Sequence, residues 1–136
     1  MTGAPAAEES QSRKPKRLDE IPPPATDDEY TLKYATKESL HFEEMARRFP
    51  GNCDELKRRL KNTPLVRSDV QKPLKGNLST RSVQGKTLPQ WQYDISSSAR
   101  VWYCTDTETK TVWLTLASSG HPKATETKAK RAPRGR

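Results

Sequence analysis

The sequence predicts a small α+β domain, a helical hairpin packed on one face of a small antiparallel sheet in the order β-α-α-β-β-β. Apolar residues recur with helical spacing only within residues 36–63. Residues 30–35 and 91–117 instead alternate apolar and polar side chains and are rich in β-branched and aromatic residues, as strands are. One strand, two helices and a run of strands is an order typical of α+β domains.

Composition limits the folded part to a single domain. The chain has 136 residues, and its first 29 contain one leucine, one isoleucine and no aromatic residue. Such a segment buries too little apolar surface to offset the entropy lost on ordering. We therefore predict a disordered N-terminal tail over residues 1–29, a folded domain over 30–123 and a basic disordered C-terminal tail over 124–136.

Positive charge is concentrated in the predicted domain. The formal net charge of the chain is +8, and residues 30–123 hold 16 Lys and Arg against 9 Asp and Glu. A small basic domain is typical of nucleic-acid-binding proteins, although an acidic protein or an anionic membrane would suit the same charge. The 2 cysteines, far apart in sequence, predict buried thiols. Because we recognise no signal peptide and no apolar run of about 18 residues, we expect a cytoplasmic protein without a membrane partner.

The helical hairpin follows a short strand over residues 30–35. Thr36 is a candidate N-cap for the first helix, which we expect to end at Pro50. Asn52, with Glu55 three residues later, predicts a capping box at the start of the second helix, and Pro64 predicts its end.

Residues 64–90 carry weaker signals, with three prolines, two glycines and little periodicity. We predict mostly loop there, with one strand near residues 77–83. Strands over residues 91–95, 99–106 and 110–117, joined by short polar turns, then form an antiparallel meander.

Alternation assigns the side chains of the meander to two faces. Under the helices we expect Trp91, Tyr93, Ile95, Val101, Tyr103, Val112, Leu114 and Leu116. The other face then carries Gln92, Asp94, Arg100, Trp102, Cys104, Thr111, Trp113 and Thr115. That second face is polar and aromatic together, a combination suited to binding nucleic acid.

Several stretches of the sequence, taken with the order of the predicted elements, resemble the RelE/ParE superfamily of bacterial toxins. The likeness is greatest to the RelE-type mRNA interferases, which include the YoeB and HigB branches. The stretches are "KPLKGNL" after the hairpin, "WQYDISSSARVWY", the strand "TVWLTLA" and the ending "SSGHPKATE". The resemblance covers residues 30–126, and its most specific pieces are the leucine-x-glycine at Leu74 to Gly76 and the strand running into "ARVWY".

The resemblance implies the toxin of a type II toxin-antitoxin system, held inactive by a cognate antitoxin protein. Such toxins cut mRNA on the ribosome and stop translation, without a metal or a small-molecule cofactor. The 2′-hydroxyl of the RNA attacks the adjacent phosphorus. The protein then has to move protons and neutralise the charge that builds on the phosphorane oxygens.

Carried over residue by residue, the resemblance implies a catalytic group of four residues. Arg100 falls where the family places its phosphate-binding arginine, and a guanidinium can bind two phosphate oxygens at once. His121 falls near the position of a family arginine or histidine after the last strand and is a candidate acid or base. Lys123 could stabilise the phosphorane. Asp94 could act as a base or orient His121, or it could be a surface carboxylate that pairs with Arg100.

Two departures from the family pattern bear on catalysis. Gln92 and Asp94 stand where the namesake toxin has two lysines, and the family's C-terminal tyrosine has no counterpart after Lys123.

Further candidate RNA contacts are Lys75, Arg81, Lys86, Gln92, Trp102 and Trp113. For the two tryptophans, the alternative is that they cover the second face or that residues 77–90 fold over them.

Three hypotheses about function follow. The first is a ribosome-dependent endoribonuclease with Arg100, His121 and Lys123 at its site. The second is a ParE-like toxin that poisons DNA gyrase through protein contacts. The third is a non-catalytic RNA- or ribosome-binding module of the same fold.

Overall fold

A computed structural model of the chain describes residues 14–22 and 29–120. Its elements are β1 (Thr31–Tyr34), a first 3₁₀ turn (Glu38–His41), α1 (Phe42–Arg48), α2 (Pro50–Asn62), β2 (Gln71–Pro73), a second 3₁₀ turn (Gly76–Leu78), β3 (Thr80–Val83), β4 (Lys86–Asp94), β5 (Arg100–Asp106) and β6 (Thr111–Ser118). The predicted α+β class, the two helices and the β4-β5-β6 meander are confirmed.

The sheet is larger than predicted and is not wholly antiparallel. It has six strands in the order β1-β6-β5-β4-β2, and β3 pairs with the first half of β4. The first strand β1 runs parallel to β6, with Leu32 opposite Val112. The predicted antiparallel order β-α-α-β-β-β is therefore wrong in strand number and in the direction of β1, whereas the strand predicted near residues 77–83 is present as β3. The three-residue strand β2 gave no signal in the sequence because a short edge strand has too few residues for a period to emerge.

The helices cover one face of the sheet, as predicted. Phe42 and Met45 of α1 and Leu56 and Leu60 of α2 are buried. They form one core with side chains of the sheet, including Leu32, Tyr34, Tyr93, Ile95, Val101, Tyr103, Val112 and Leu114. Trp91 is only partly buried against this core. Nearly all of the predicted core positions of the meander are thus occupied as expected.

Leu116 is the exception, because β6 contains a β-bulge. Trp102 lies opposite Leu116 while its neighbour Tyr103 lies opposite Leu114, so Thr115 is an extra residue in the ladder. An extra residue reverses the faces of everything that follows it. Ala117 therefore takes the core position, and the predicted burial of Leu116 under the helices is wrong.

The ends of the helices follow the four predicted signals only in part. The Ser39 N–H donates to Thr36 Oγ1 over 3.0 Å, but the cap positions are held by Lys37 for the first 3₁₀ turn and by His41 for α1. The helix α1 ends at Arg48, two residues before the predicted Pro50, and α2 ends before Pro64 as predicted. The capping box predicted at Asn52 is wrong, since α2 begins two residues earlier at Pro50. Asn52 Nδ2 donates to the Ile95 carbonyl oxygen over 2.7 Å and so ties the start of α2 to the end of β4.

Residues 14–22 differ from the disorder predicted for residues 1–29. The Leu18 N–H donates to the Tyr34 carbonyl oxygen, the Ile21 N–H to the Leu32 oxygen and the Tyr34 N–H to the Asp19 oxygen. This segment therefore lines the outer edge of β1, and Ile21 enters the core with 4% of its surface exposed. One buried apolar residue suffices here because β1 offers unpaired backbone groups, which composition does not reveal. The rest of the predicted tails, residues 1–13, 23–28 and 124–136, lies outside the described residues.

The sheet face away from the helices, the open face, divides into two halves. At one end the β3-β4 hairpin covers the face, and Val83, Leu88, Cys104 and Trp113 form a second apolar cluster. The hairpin turns through Gln84 and Gly85, both with positive φ (51° and 80°), the geometry of a two-residue type I′ turn. The other end, around Gln92, Asp94, Arg100 and Trp102, remains accessible.

Candidate nucleic-acid interface

The accessible half of the open face is built by β4 and β5. Gln92 lies directly opposite Trp102, and Asp94 directly opposite Arg100. Directly opposed residues share a face, with β-carbons about 5 Å apart. The structure therefore brings together four residues that the sequence proposed for one site.

A chain of hydrogen bonds holds three of these side chains. Trp102 Nε1 donates to Gln92 Oε1 over 2.9 Å, and Gln92 Nε2 donates to Asp94 Oδ1 over 2.9 Å. Lys72 Nζ of β2 lies 3.6 Å from the second carboxylate oxygen, Asp94 Oδ2. Both oxygens of Asp94 thus face a donor, and the indole N–H of half-buried Trp102 is bound to the Gln92 side chain of β4.

Arg100 is left available. Its side chain is exposed, and within residues 14–22 and 29–120 its guanidinium forms no ion pair or hydrogen bond. Of the alternatives for Asp94, a pair with Arg100 is not found in the described part of the chain, where the partner of Asp94 is Lys72. An exposed guanidinium on a polar and aromatic face can bind a phosphate through two parallel hydrogen bonds.

The chain after β6 returns to the same end of the sheet. Ser118 lies opposite Arg100, and the Gly120 N–H donates to Ser118 Oγ over 3.2 Å. Gly120 packs against Ser98 in the turn between β4 and β5. The predicted catalytic residues His121 and Lys123 follow directly in sequence, but they lie outside the described residues.

The remaining predicted RNA contacts are dispersed. Trp113 is only 9% exposed, under the β3-β4 hairpin and with Lys33 Nζ 5.6 Å from its ring centre, so it offers no free ring face for a base. Lys86 lies at the far end of β4, bound to Asp106 and Glu108. Lys75 and Arg81 are exposed, beside the second 3₁₀ turn and on β3. The alternative that residues 77–90 fold over the tryptophans describes Trp113 well and Trp102 only in part.

Buried polar groups link the bulge to the covered half of the face. Thr115 Oγ1 donates to Gln90 Oε1 over 2.6 Å, and Gln90 Nε2 donates to the Leu78 carbonyl oxygen over 2.9 Å. Both side chains are almost fully buried. The extra residue of the bulge is therefore held by a satisfied network, which fixes where the faces of β6 reverse.

A cleft of about 390 Å³ lies between the first 3₁₀ turn, α1 and the end of β6. Its wall includes Met45 and Phe49 together with His41, Glu44 and Arg48. His41 is exposed and lines this cleft. The cleft also reaches Leu116 and Ser118, which lie opposite Trp102 and Arg100 in the β5-β6 ladder.

Lys72 is the residue of the accessible half that the sequence did not reveal. It lies in the weakly patterned stretch before Pro73, and only the pairing of β2 with β4 brings it opposite Gln92.

Across the described residues no group of three or more His, Cys, Asp or Glu side chains is placed to hold a metal ion. None of the helices in the described ranges is long and apolar enough to cross a membrane.

Comparisons with known proteins add no assignment to this geometry. No protein-family model matches the chain, and no curated protein sequence matches it.

Proposed function

We propose that the protein is the toxin of a type II toxin-antitoxin system and that it cleaves mRNA on the ribosome. The observation that carries the proposal is the exposed Arg100 guanidinium, which has no partner in the described part of the chain and lies beside Trp102, Gln92 and Asp94. The likeness of residues 30–126 to RelE-type interferases and the net charge of +8 agree with an RNA substrate.

The reaction is an attack of the RNA 2′-hydroxyl on the adjacent phosphorus. The new P–O2′ bond forms as the P–O5′ bond breaks, which leaves a 2′,3′-cyclic phosphate and a 5′-hydroxyl. A base accepts the 2′ proton, and an acid supplies one to O5′. Arg100 neutralises the phosphorane oxygens, and we assign proton transfer to His121, with Lys123 stabilising added negative charge.

Asp94 has a narrower role in this proposal than a general base. Its two oxygens already face Gln92 Nε2 and Lys72 Nζ. These contacts tie the carboxylate to neighbouring side chains of β2 and β4. We therefore assign Asp94 to positioning.

The test is a reconstituted translation reaction with mapping of mRNA 5′ ends. We expect cuts at codons in the ribosomal A site and loss of cutting in Arg100→Ala and His121→Ala. The matched control is Arg47→Ala, which removes an arginine of α1 whose side chain is 71% exposed. A cognate antitoxin, encoded by a neighbouring reading frame, should suppress the cutting.

Two results would replace the proposal. Growth arrest with intact mRNA and trapped gyrase-DNA complexes would identify a ParE-like poison. Salt-sensitive RNA binding without cleavage or toxicity would identify a non-catalytic RNA-binding module. The absence of lysines at positions 92 and 94 favours this module as the second candidate.

A further inference from the structure

Lys72 and Arg100 lie on the same open face, on strands either side of β4. Lys72 is directly opposite Gln92, so it shares the face that carries Asp94 and Arg100. Its side chain is 46% exposed. Strand β4 lies between β2 and β5, so the Cα atoms of Lys72 and Arg100 are two strand spacings across and two residues along the sheet from each other, or roughly 12 Å apart. Both long side chains can reach one RNA strand that crosses β4.

The contact of Lys72 with Asp94 is weak. The Nζ to Oδ2 distance of 3.6 Å exceeds that of a charged hydrogen bond, and Asp94 is itself 31% exposed. Exposed pairs of this kind contribute little and are screened by salt. A phosphate oxygen could therefore draw Lys72 away from the carboxylate.

Asp94 lies between the two cations. Its negative charge occupies the region that a bound phosphate would enter, and Gln92 Nε2 holds it there through Oδ1. In the free protein the carboxylate partly neutralises Lys72. In an RNA complex the same carboxylate repels the phosphate.

We propose that Lys72 and Arg100 form a two-cation site for neighbouring phosphates of single-stranded RNA, in which Asp94 is an internal competitor that holds Lys72 until RNA replaces it. The inference rests on the proposed function, because it requires that RNA bind the accessible half of the open face. It adds a residue that neither the sequence pattern nor the family likeness assigns.

The test measures binding of a short fluorescein-labelled 2′-O-methyl RNA, which cannot be cleaved, over a range of KCl concentrations. Lys72→Met should raise Kd about fivefold near 0.1 M salt and reduce the salt slope by about 0.7, the loss of one phosphate contact. Lys72→Arg should keep the slope. Asp94→Asn should lower Kd, and that gain should shrink in the Lys72→Met background, because part of it acts through Lys72.

The matched control is the Lys57–Asp54 pair of α2, whose Nζ to Oδ1 distance is also 3.6 Å. Lys57→Met and Asp54→Asn should leave Kd and the salt slope unchanged. Circular dichroism of each variant shows whether it is folded, and Lys72→Gln replaces any Lys72→Met protein that is not.

The outcomes separate the two proposals. If wild-type protein binds RNA and Arg100→Ala weakens binding, but Lys72→Met and Asp94→Asn do not change it, the two-cation site is wrong and the RNA-binding face stands. If wild type does not bind this RNA, or Arg100→Ala has no effect on binding, the accessible half is not an RNA-binding face and the two-cation site is wrong. Cleavage in the translation reaction then decides the proposed function separately. If Lys72→Met and Lys72→Arg reduce the salt slope of binding equally, RNA does not require the positive charge at position 72, and the inference is wrong.

Discussion

Gly120 lies against Ser98 so closely that a β-carbon on the glycine would stand 2.4 Å from the Ser98 carbonyl oxygen. Its φ of 85° is also in the region that favours glycine. We expect Gly120→Ala to lower the free energy of unfolding by about 2 kcal/mol. Urea titration provides the measurement.

Gly51→Ala is the control for that variant, because a β-carbon there meets nothing within 4 Å. It should change stability by no more than about 1 kcal/mol. Because Gly120 directly precedes His121, we also expect Gly120→Ala to lower the cleavage rate even where the protein is folded. Unchanged stability and cleavage would contradict the close packing of the two backbones.

The segment along β1 should contribute measurably to stability. Ile21 is 4% exposed within the core, so Ile21→Ala should cost about 2 to 3 kcal/mol in the free energy of unfolding. Leu18→Ala, at a position 39% exposed, should cost much less. Equal effects in thermal or urea unfolding would mean that the segment does not pack as described.

A buried hydroxyl joins the end of α2 to the sheet. Tyr103 Oη donates to the Pro64 carbonyl oxygen over 2.7 Å and accepts from Gln71 Nε2 over 3.2 Å. Tyr103→Phe removes both bonds and should cost about 1 to 2 kcal/mol. Tyr30→Phe is the control, since no hydrogen bond of the Tyr30 hydroxyl occurs among the described residues. A stability for Tyr103→Phe equal to wild type would show that water replaces these bonds.

Stability should fall in acid through Asp106. The Lys86 ammonium, 2.8 Å away, and the backbone N–H of Thr109 hold the pKa of Asp106 below its usual value. A carboxyl with a depressed pKa in the folded state stabilises the protein above its unfolded pKa of about 3.9. That contribution is lost as the pH falls through the folded pKa.

Lys86→Met should therefore flatten the dependence of unfolding free energy on pH between about pH 5 and pH 2. Lys37→Met, which removes an exposed lysine before the first 3₁₀ turn, should leave that dependence unchanged. Identical pH profiles for Lys86→Met and wild type would show that Lys86 does not lower the pKa of Asp106 in the folded protein.

Both thiols should resist modification in the folded protein. Burial raises the pKa of Cys53 to about 11 and that of Cys104 to about 12, so little thiolate exists near neutral pH. We expect iodoacetamide to label neither thiol of the native protein at pH 8 and both of them in urea, as mass spectrometry can count. Rapid labelling of one native thiol would locate an opening of the core on that side of the sheet.

Periodicity predicted most of the fold where burial is one-sided. The meander and the helices each pack one face, so residues such as Tyr93, Val101 and Leu56 reveal their positions through spacing alone. Spacing could not predict the bulge at Thr115, since one extra residue breaks the period without a distinctive residue type. The pairing of residues 18–21 with β1 was equally invisible, because it depends on backbone groups.

The candidate site was predictable in part for the same reason. Gln92, Asp94, Arg100 and Trp102 lie on two adjacent strands joined by a short turn, so alternation alone places them together. Lys72 comes from an edge strand about 20 residues earlier, and its approach to Asp94 depends on tertiary pairing. Trp113 was misleading because it lies on the same face as Trp102, but under a hairpin whose path the sequence does not specify.

The parallel pairing of β1 with β6 has a consequence for synthesis of the protein. The strand made first, Thr31–Tyr34, needs residues 111–114 as its neighbour, and these are made some 80 residues later. Contacts of such long sequence separation form slowly, and the edge of β1 stays open until they do. Folding of the domain should therefore be completed only when β6 has left the ribosomal exit tunnel. If the protein acts on ribosomes, this order delays the assembled site until Thr111–Ser118 has been synthesised.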